Sequence, residues 1–188
     1  MTILTLNKTT ERRITQMKKK STLFLTQAAV IAALYVALTY ISSALGLAYN
    51  AVQFRLSEIL TVLPIFTPAA IPGLTIGCLI ANISSPFGVI DIICGALATF
   101  LAAVTTYALR KITFRDIPVL STIPPVLFNA VIIGLEIWYL EGRVTEIFVI
   151  SALEIAAGQS VMCILAGIIF IRAVRKTKVF TRLNSFSN

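Results

Sequence analysis

Long apolar stretches alternate with short polar breaks between residues 23 and 173, and the breaks set the number of elements. The pattern predicts helices at about 23–45, 54–67, 69–84, 88–110, 117–140 and 146–173. A helix needs about 20 apolar residues to cross some 30 Å of hydrocarbon. The first stretch is longer than the apolar part of a signal peptide, so it reads as a spanning helix. The second and third are short, with a helical rise of about 21 and 24 Å. Between them lies the stretch that organises the chain, QFRLSEILTVLPIFTPAAIPGL at 53–74. Pro64, Pro68 and Pro72 recur there at four-residue spacing. Each removes a backbone donor and clashes with the preceding turn, at about 3 kcal/mol in a helix interior. One straight helix through all three is untenable, and two short helices joined by a tight turn near 67–71 follow.

Composition places these helices in lipid. The 188 residues are 57% hydrophobic and 13% charged, with a mean hydropathy of +0.91, whereas soluble domains carry about 25% charged residues. The expectation is an all-α membrane protein. A basic segment at 1–22 precedes one transmembrane domain at 23–175, and a basic tail follows at 176–188. Met17 directly precedes the KKKS run, so residues 1–16 read as a dispensable extension. Peptide mass spectrometry of the native protein checks this, and an N-terminus at Met1 or Thr2 refutes it.

A net charge of +8 raises the question of nucleic acid. The basic residues sit at the ends of apolar segments, however, where membrane orientation accounts for them. With six helices, Lys8, Arg12, Arg13, Lys18, Lys19 and Lys20 share a side with Arg110, Lys111 and Arg115. Arg172, Arg175, Lys176, Lys178 and Arg182 join them, making fourteen of the sixteen basic residues and leaving Arg55 and Arg143 opposite. A rival with 57–83 as one kinked span gives five helices and splits the charge almost evenly, against the positive-inside tendency. Six helices with both termini cytoplasmic is the better topology. Cys78, Cys94 and Cys163 stand singly in apolar runs and the chain has no histidine. A zinc or nickel site is therefore poorly supplied, and no cofactor is expected.

Polar residues then fall at one depth. Arg55 and Glu58, three apart and able to share a helix face, lie near the outer end of the second helix. Asn82 lies near the outer end of the third helix and Asp91 near the outer start of the fourth. Glu136 lies about a turn below the outer end of the fifth, on one face with the deeper Asn129, and Glu154 about two turns into the sixth, with Gln159 deeper. A charged residue at the centre of a membrane helix costs about 2.5–3.5 kcal/mol. For Arg55, Glu58 and Asp91 the plain alternative is an ion pair or access to water. For Glu136 and Glu154 no outer basic residue remains to pair with both. An ion channel needs polar groups through the full depth, so a one-sided pocket is the better inference. Tyr49, Phe54, Phe87, Trp138, Tyr139 and Phe148 add aromatic surface. Carboxylates, amides and aromatics together suit a small, flat, donor-rich or cationic ligand such as a nucleobase.

Several motifs, in order, resemble the queuosine-precursor transporter (QueT) family. They are QFRLSEILTVLP at 53–64, FTPAAIPGLTIGCLIAN at 66–82, DIICGALATFLAA at 91–103, PPVLFNAVIIGLE at 124–136 and the late helix with Glu154. The resemblance covers about 25–175. It implies a substrate-binding S component of an energy-coupling factor (ECF) transporter, a six-helix protein that binds a micronutrient facing outward and topples to release it inside. The implied substrate is a 7-deazaguanine in its 7-aminomethyl or 7-cyano form. The implied partners are a transmembrane coupling subunit and two ATPases, and the chain itself carries no GxxxxGK[ST] loop. Small residues recur along the first helix at Ala28, Ala29, Ala32, Ala33 and Ala37. Such a stripe serves internal packing or docking. By similarity to the family's AxxxA motif, Ala29 and Ala33 are the docking choice, although Ala28 and Ala32 are equally spaced.

In that reading Glu136, Asn129 and Glu154 take the guanine-like edge, and Asp91 or Glu58 neutralises an aminomethyl cation. Arg55 orders the carboxylates with Asn82 at the same level, and Trp138 or Tyr139 covers the ring. The rival classes are an S component for another micronutrient, a solitary carrier, and a membrane-embedded enzyme that would have only a carboxylate pair for its chemistry.

Overall fold

The computed structural model describes residues 2–48, 52–114 and 117–177. Tyr49, Arg115, Lys178, Arg182 and the end of the basic tail lie outside them. The described residues are helical, with a lone bridge between Phe114 and Ile117 in place of any strand. Helix α1 is Thr2–Ala44 and a 3-10 segment follows at Leu56–Ile65. Next come α2 (Ala70–Ala81), α3 (Val89–Leu109) and α4 (Ile123–Leu140). A final rod comprises α5 (Thr145–Gln159), a π turn at Ser160–Ala166 and α6 (Gly167–Lys176). Four of the six segments are long and apolar enough to cross a membrane, and the 3-10 segment and α2 are the two short ones. The chain is thus a multi-pass membrane protein.

Helix α1 begins far earlier than the expected 23, because no glycine or proline interrupts residues 2–44. Its span of membrane character is Thr15–Ala44. It stops at Gly46, whose φ of 70° is open to glycine at little steric cost. There the Gly46 N–H bonds to the Ser43 carbonyl and the Leu47 N–H to that of Ser42, the paired closure of a Schellman motif.

The proline stretch forms the expected break. The first segment ends at Ile65 and α2 starts at Ala70, with the turn at 66–69. What the pattern does not reveal is that the first of the two short helices is 3-10. Its Pro64 cannot donate to the ladder. At about 2.0 Å per residue, ten 3-10 residues rise some 20 Å, against about 15 Å as α-helix, so the tighter winding carries a short segment further through the bilayer. Proline is also found in the first turn of α4, at Pro124 and Pro125, where N–H groups lack helical partners in any case.

The 3-10 segment is the centre of the bundle. It touches α1, α2, α3 and the π turn and buries Ser57, Glu58, Leu60, Thr61, Val62 and Pro64. Hydroxyls on α1 fix its start: the Leu56 N–H bonds to Ser42 Oγ at 2.8 Å, and Thr39 Oγ1 lies 2.8 Å from Ser57 Oγ. Its apolar side meets Ile31, Tyr35, Leu74 and Cys78 in one core cluster. Around it α1 packs on α2, α2 on α3, α3 on α4 and α4 on α5. The α1–α2 seam is close. A Cβ on Gly73 would lie 2.8 Å from the Ala28 carbonyl oxygen, and one on Gly77 would lie 2.8 Å from Tyr35 Cβ and 3.0 Å from the Ala32 oxygen. Ala28 and Ala32 are therefore the internal stripe of α1, whereas Ala29, Ala33 and Ala37 face outward.

Candidate functional site

The polar residues converge on the 3-10 segment. Arg55, in extended conformation just before it, is buried and forms an ion pair with Asp91 at the start of α3, 3.9 Å between Nη2 and Oδ2. Its Nη1 donates to Asn82 Oδ1 at 3.2 Å and its Nε to the Ala48 carbonyl at 3.3 Å. Asn82 in turn donates to the Asp91 carbonyl at 3.1 Å and packs against Gly95, where a Cβ would collide with its amide. Arg55, Asn82 and Asp91 thus form one buried knot joining three segments. Glu58, the partner that three-residue spacing offers to Arg55, takes a 2.8 Å hydrogen bond from the Tyr35 hydroxyl.

A small cavity lies beside this knot. It is lined by Tyr35, Gln53, Arg55, Glu58, Cys78, Gly95, Thr99, Asn129, Ile133, Ile155 and Gln159, and its free space is about 10 Å³, about the room of one water. Helix α4 supplies Asn129 and Ile133, and α5 supplies Ile155 and Gln159, each pair at four-residue spacing on one helix face. The stretch at Gln53 closes the cavity against α5, where Gly158 lets the backbone carbonyl of Gln53 come so close that a Cβ would overlap it. The π turn brings Cys163 to 3.5 Å from Thr61 Oγ1 and 3.7 Å from the Glu58 carbonyl oxygen, and Cys163 donates to Gln159 Oε1 at 3.1 Å.

Of the residues singled out by sequence, Arg55, Glu58 and Asn129 line the cavity, and Asn82 and Asp91 hold Arg55 from behind. Glu136 is buried on the face of α4 that carries Asn129 and Ile133, about one turn beyond Ile133 and two beyond Asn129, and neither of its carboxylate oxygens has a hydrogen-bond partner among the described residues. Three others are not brought to the cavity. Glu154 is only half-buried, one position off the Ser151, Ile155 and Gln159 face that α5 turns inward. Trp138 is half-buried, and Tyr139 is exposed with the Arg143 guanidinium 4.8 Å over its ring.

Tyr35, Gln53 and Thr99 are polar lining residues that the pattern did not assign, and Gln159, noted there only as a deeper polar group, lines the cavity too. Tyr35 had one readable signal. A tyrosine in mid-helix within lipid needs a partner for its hydroxyl, and Glu58 is a buried acceptor on the next segment. A second hollow, about 440 Å³, lies between α3 and α4 and is lined by Thr105, Leu109, Leu120, Ile123, Pro124, Leu127, Phe128 and Val131. Its wall is almost wholly apolar and several of its side chains are exposed, which suits lipid chains better than a polar solute.

A multi-pass helical bundle that walls off buried carboxylates and amides around a central cavity is the architecture of a membrane protein that handles a small polar solute. The comparisons agree. The chain belongs to the QueT transporter family, whose family profile matches residues 25–176. A curated relative, the "Queuosine precursor transporter QueT" of Lactococcus lactis subsp. cremoris (strain MG1363), is 40% identical over 85 residues. The match covers 45% of this chain and 50% of that protein, so it spans half the relative's length. No solved structure matches.

The knot makes a stability prediction. Arg55→Met leaves Asp91 buried without its cation and should destabilise the detergent-solubilised protein by about 3–5 kcal/mol. Adding Asp91→Leu removes the orphaned charge and should restore most of the loss. Thermal melts of the two variants check this, and equal destabilisation by both would contradict it.

Proposed function

We propose that the chain is the substrate-binding S component of an ECF-type importer that takes up a queuosine precursor, a 7-deazaguanine such as the 7-aminomethyl or 7-cyano form. One observation carries the reading. Within the matched region, the bundle interior holds carboxylate oxygens on Glu58 and Glu136 that have no hydrogen-bond partner among the described residues. Such oxygens suit a ligand rich in N–H donors. The name of the lactococcal relative points to the same solute class. Arg55, Asn82 and Asp91 set the frame, Glu58, Asn129 and Glu136 provide the polar contacts, and Tyr35 supplies aromatic surface at the cavity wall. Glu154, Trp138 and Tyr139 stand outside this arrangement. Ligand pockets have volumes of about 300–1,000 Å³. Admission of a bicyclic base therefore requires the Gln53 stretch and its neighbours to move apart.

The orientation in this reading has both termini cytoplasmic, with the six-helix domain at 23–175 between basic flanks at 1–22 and 176–188. A coupling subunit and two ATPase subunits drive the cycle. Docking on the coupling subunit uses the outward stripe of Ala29 and Ala33, since Ala28 and Ala32 are taken up by Gly73 and Gly77.

Calorimetry on the purified chain tests the substrate class, with 7-aminomethyl-7-deazaguanine, the 7-cyano analogue, guanine and riboflavin as ligands. Submicromolar binding of a deazaguanine, worth about −8 kcal/mol or better, is expected. No binding by folded protein would sink the substrate class.

Docking is tested by co-purification. Ala29→Leu with Ala33→Leu should abolish recovery of the coupling subunit and leave ligand affinity unchanged, because bulk blocks close helix approach without touching the cavity. An intact complex would refute this use of the stripe.

A further inference from the structure

The two buried glutamates with open acceptor sites stand at different places along the bundle, and their places assign them different parts of the ligand. Glu58 lines the cavity itself and is 3% exposed. Its Oε1 is held by the Tyr35 hydroxyl, and its Oε2 has no hydrogen-bond partner among the described residues. Gln159 lines the same cavity and makes no hydrogen bond to that Oε2. A carboxylate fixed through one oxygen still offers lone pairs on both, the arrangement that accepts two parallel N–H bonds. Glu136 is 4% exposed and both its oxygens lack partners. It sits three residues beyond the lining residue Ile133, about 4.5 Å further toward the C-terminal end of α4. Asp91, another buried carboxylate of this region, is ion-paired with Arg55 at 3.9 Å, although its Oδ2 accepts no hydrogen bond among the described residues.

We infer that a 7-deazaguanine lies with its N1–H and 2-amino edge on Glu58 and its 7-substituent toward Glu136. This rests on the deazaguanine reading above and reverses the roles that sequence alone suggests for the two residues. The chemistry is matched at both ends. The N1–H and 2-amino groups form a pair of adjacent donors, which a carboxylate accepts together. The 7-substituent is carried on the five-membered ring, away from that edge, and as an aminomethyl group it is a cation that a second carboxylate can neutralise. Glu58 is thereby a determinant for the guanine-type edge and Glu136 a determinant for the charge of the substituent.

Binding titrations on the full chain separate the two roles. The ligands are 7-aminomethyl-7-deazaguanine, its 7-cyano analogue, and the 2-deamino counterpart of each. Wild type should prefer each 2-amino compound to its 2-deamino counterpart by more than about tenfold. Glu58→Gln, whose amide oxygen can still accept from Tyr35, should lose that preference for both substituents. Glu136→Gln should weaken the aminomethyl ligand by more than about tenfold, leave the cyano ligand within about threefold, and keep the 2-amino preference. Retention of the 2-amino preference in Glu58→Gln, or an equal loss of both ligands in Glu136→Gln, overturns the orientation. Absence of a 2-amino preference in wild type overturns it without recourse to any variant. Failure of wild type to bind any deazaguanine overturns the substrate class as well, and so is distinct from binding with the wrong pattern.

Discussion

A guanidinium enclosed among membrane helices has to be answered by an anion and by acceptors for its remaining N–H groups, and the answer given to Arg55 arranges the part of the bundle around it. Asp91 supplies the charge, and Asn82 Oδ1 and the Ala48 carbonyl accept two of the hydrogen bonds. These partners come from the end of α2, the start of α3 and the stretch after α1. Satisfying one side chain therefore fixes where three connections meet. Gly95 belongs to the same solution, since a side chain there would displace the Asn82 amide. The 3-10 segment starts directly after Arg55 and inherits its position from this knot.

From that anchor the segment runs through the middle of the protein, where lipid is excluded and its polar side chains face other helices. Hydroxyls of α1 and the thiol of Cys163 serve the polar atoms that the bundle can reach. Carboxylate oxygens of Glu58 and Glu136 remain open among the described residues. An unanswered acceptor in a water-poor interior is costly. Oxygens left open at the edge of a central cavity are costs that a donor-bearing solute can relieve on binding. The neighbouring hollow between α3 and α4 is larger, but it offers no comparable chemistry.

Much of the fold was legible because bilayer physics constrains it tightly. Apolar length gave the long segments, and the spacing of Pro64, Pro68 and Pro72 gave the break at 66–69. The distribution of basic residues favoured six segments over five. The 3-10 winding of Leu56–Ile65 and the π turn of Ser160–Ala166 were not legible, because both are ladder adjustments made for neighbours distant in sequence. At the site, rotation about the helix axes was only partly readable. Asn129 and Glu136 share a face by simple helical arithmetic and are buried together. Glu154 is one position from the inward face of α5, and nothing in an apolar helix with few polar markers fixes that angle. The Arg55–Asp91 pair spans 36 residues, so local spacing favoured Glu58 as the partner. Ala28 and Ala29 differ only in which of them meets Gly73, a choice made by α2.

Binding of the solute in the cavity around the 3-10 segment is the proposal on which the other roles depend. Photo-cross-linking tests it most directly, using a 7-deazaguanine with a diazirine on its 7-substituent and peptide mapping of the labelled full-length chain. Label competed away by unmodified ligand should fall on the peptides around Asp91–Gly95 and Ile133–Glu136. Competable label confined to the apolar hollow at Leu120–Leu127, or to the outward face of α1, would contradict the account.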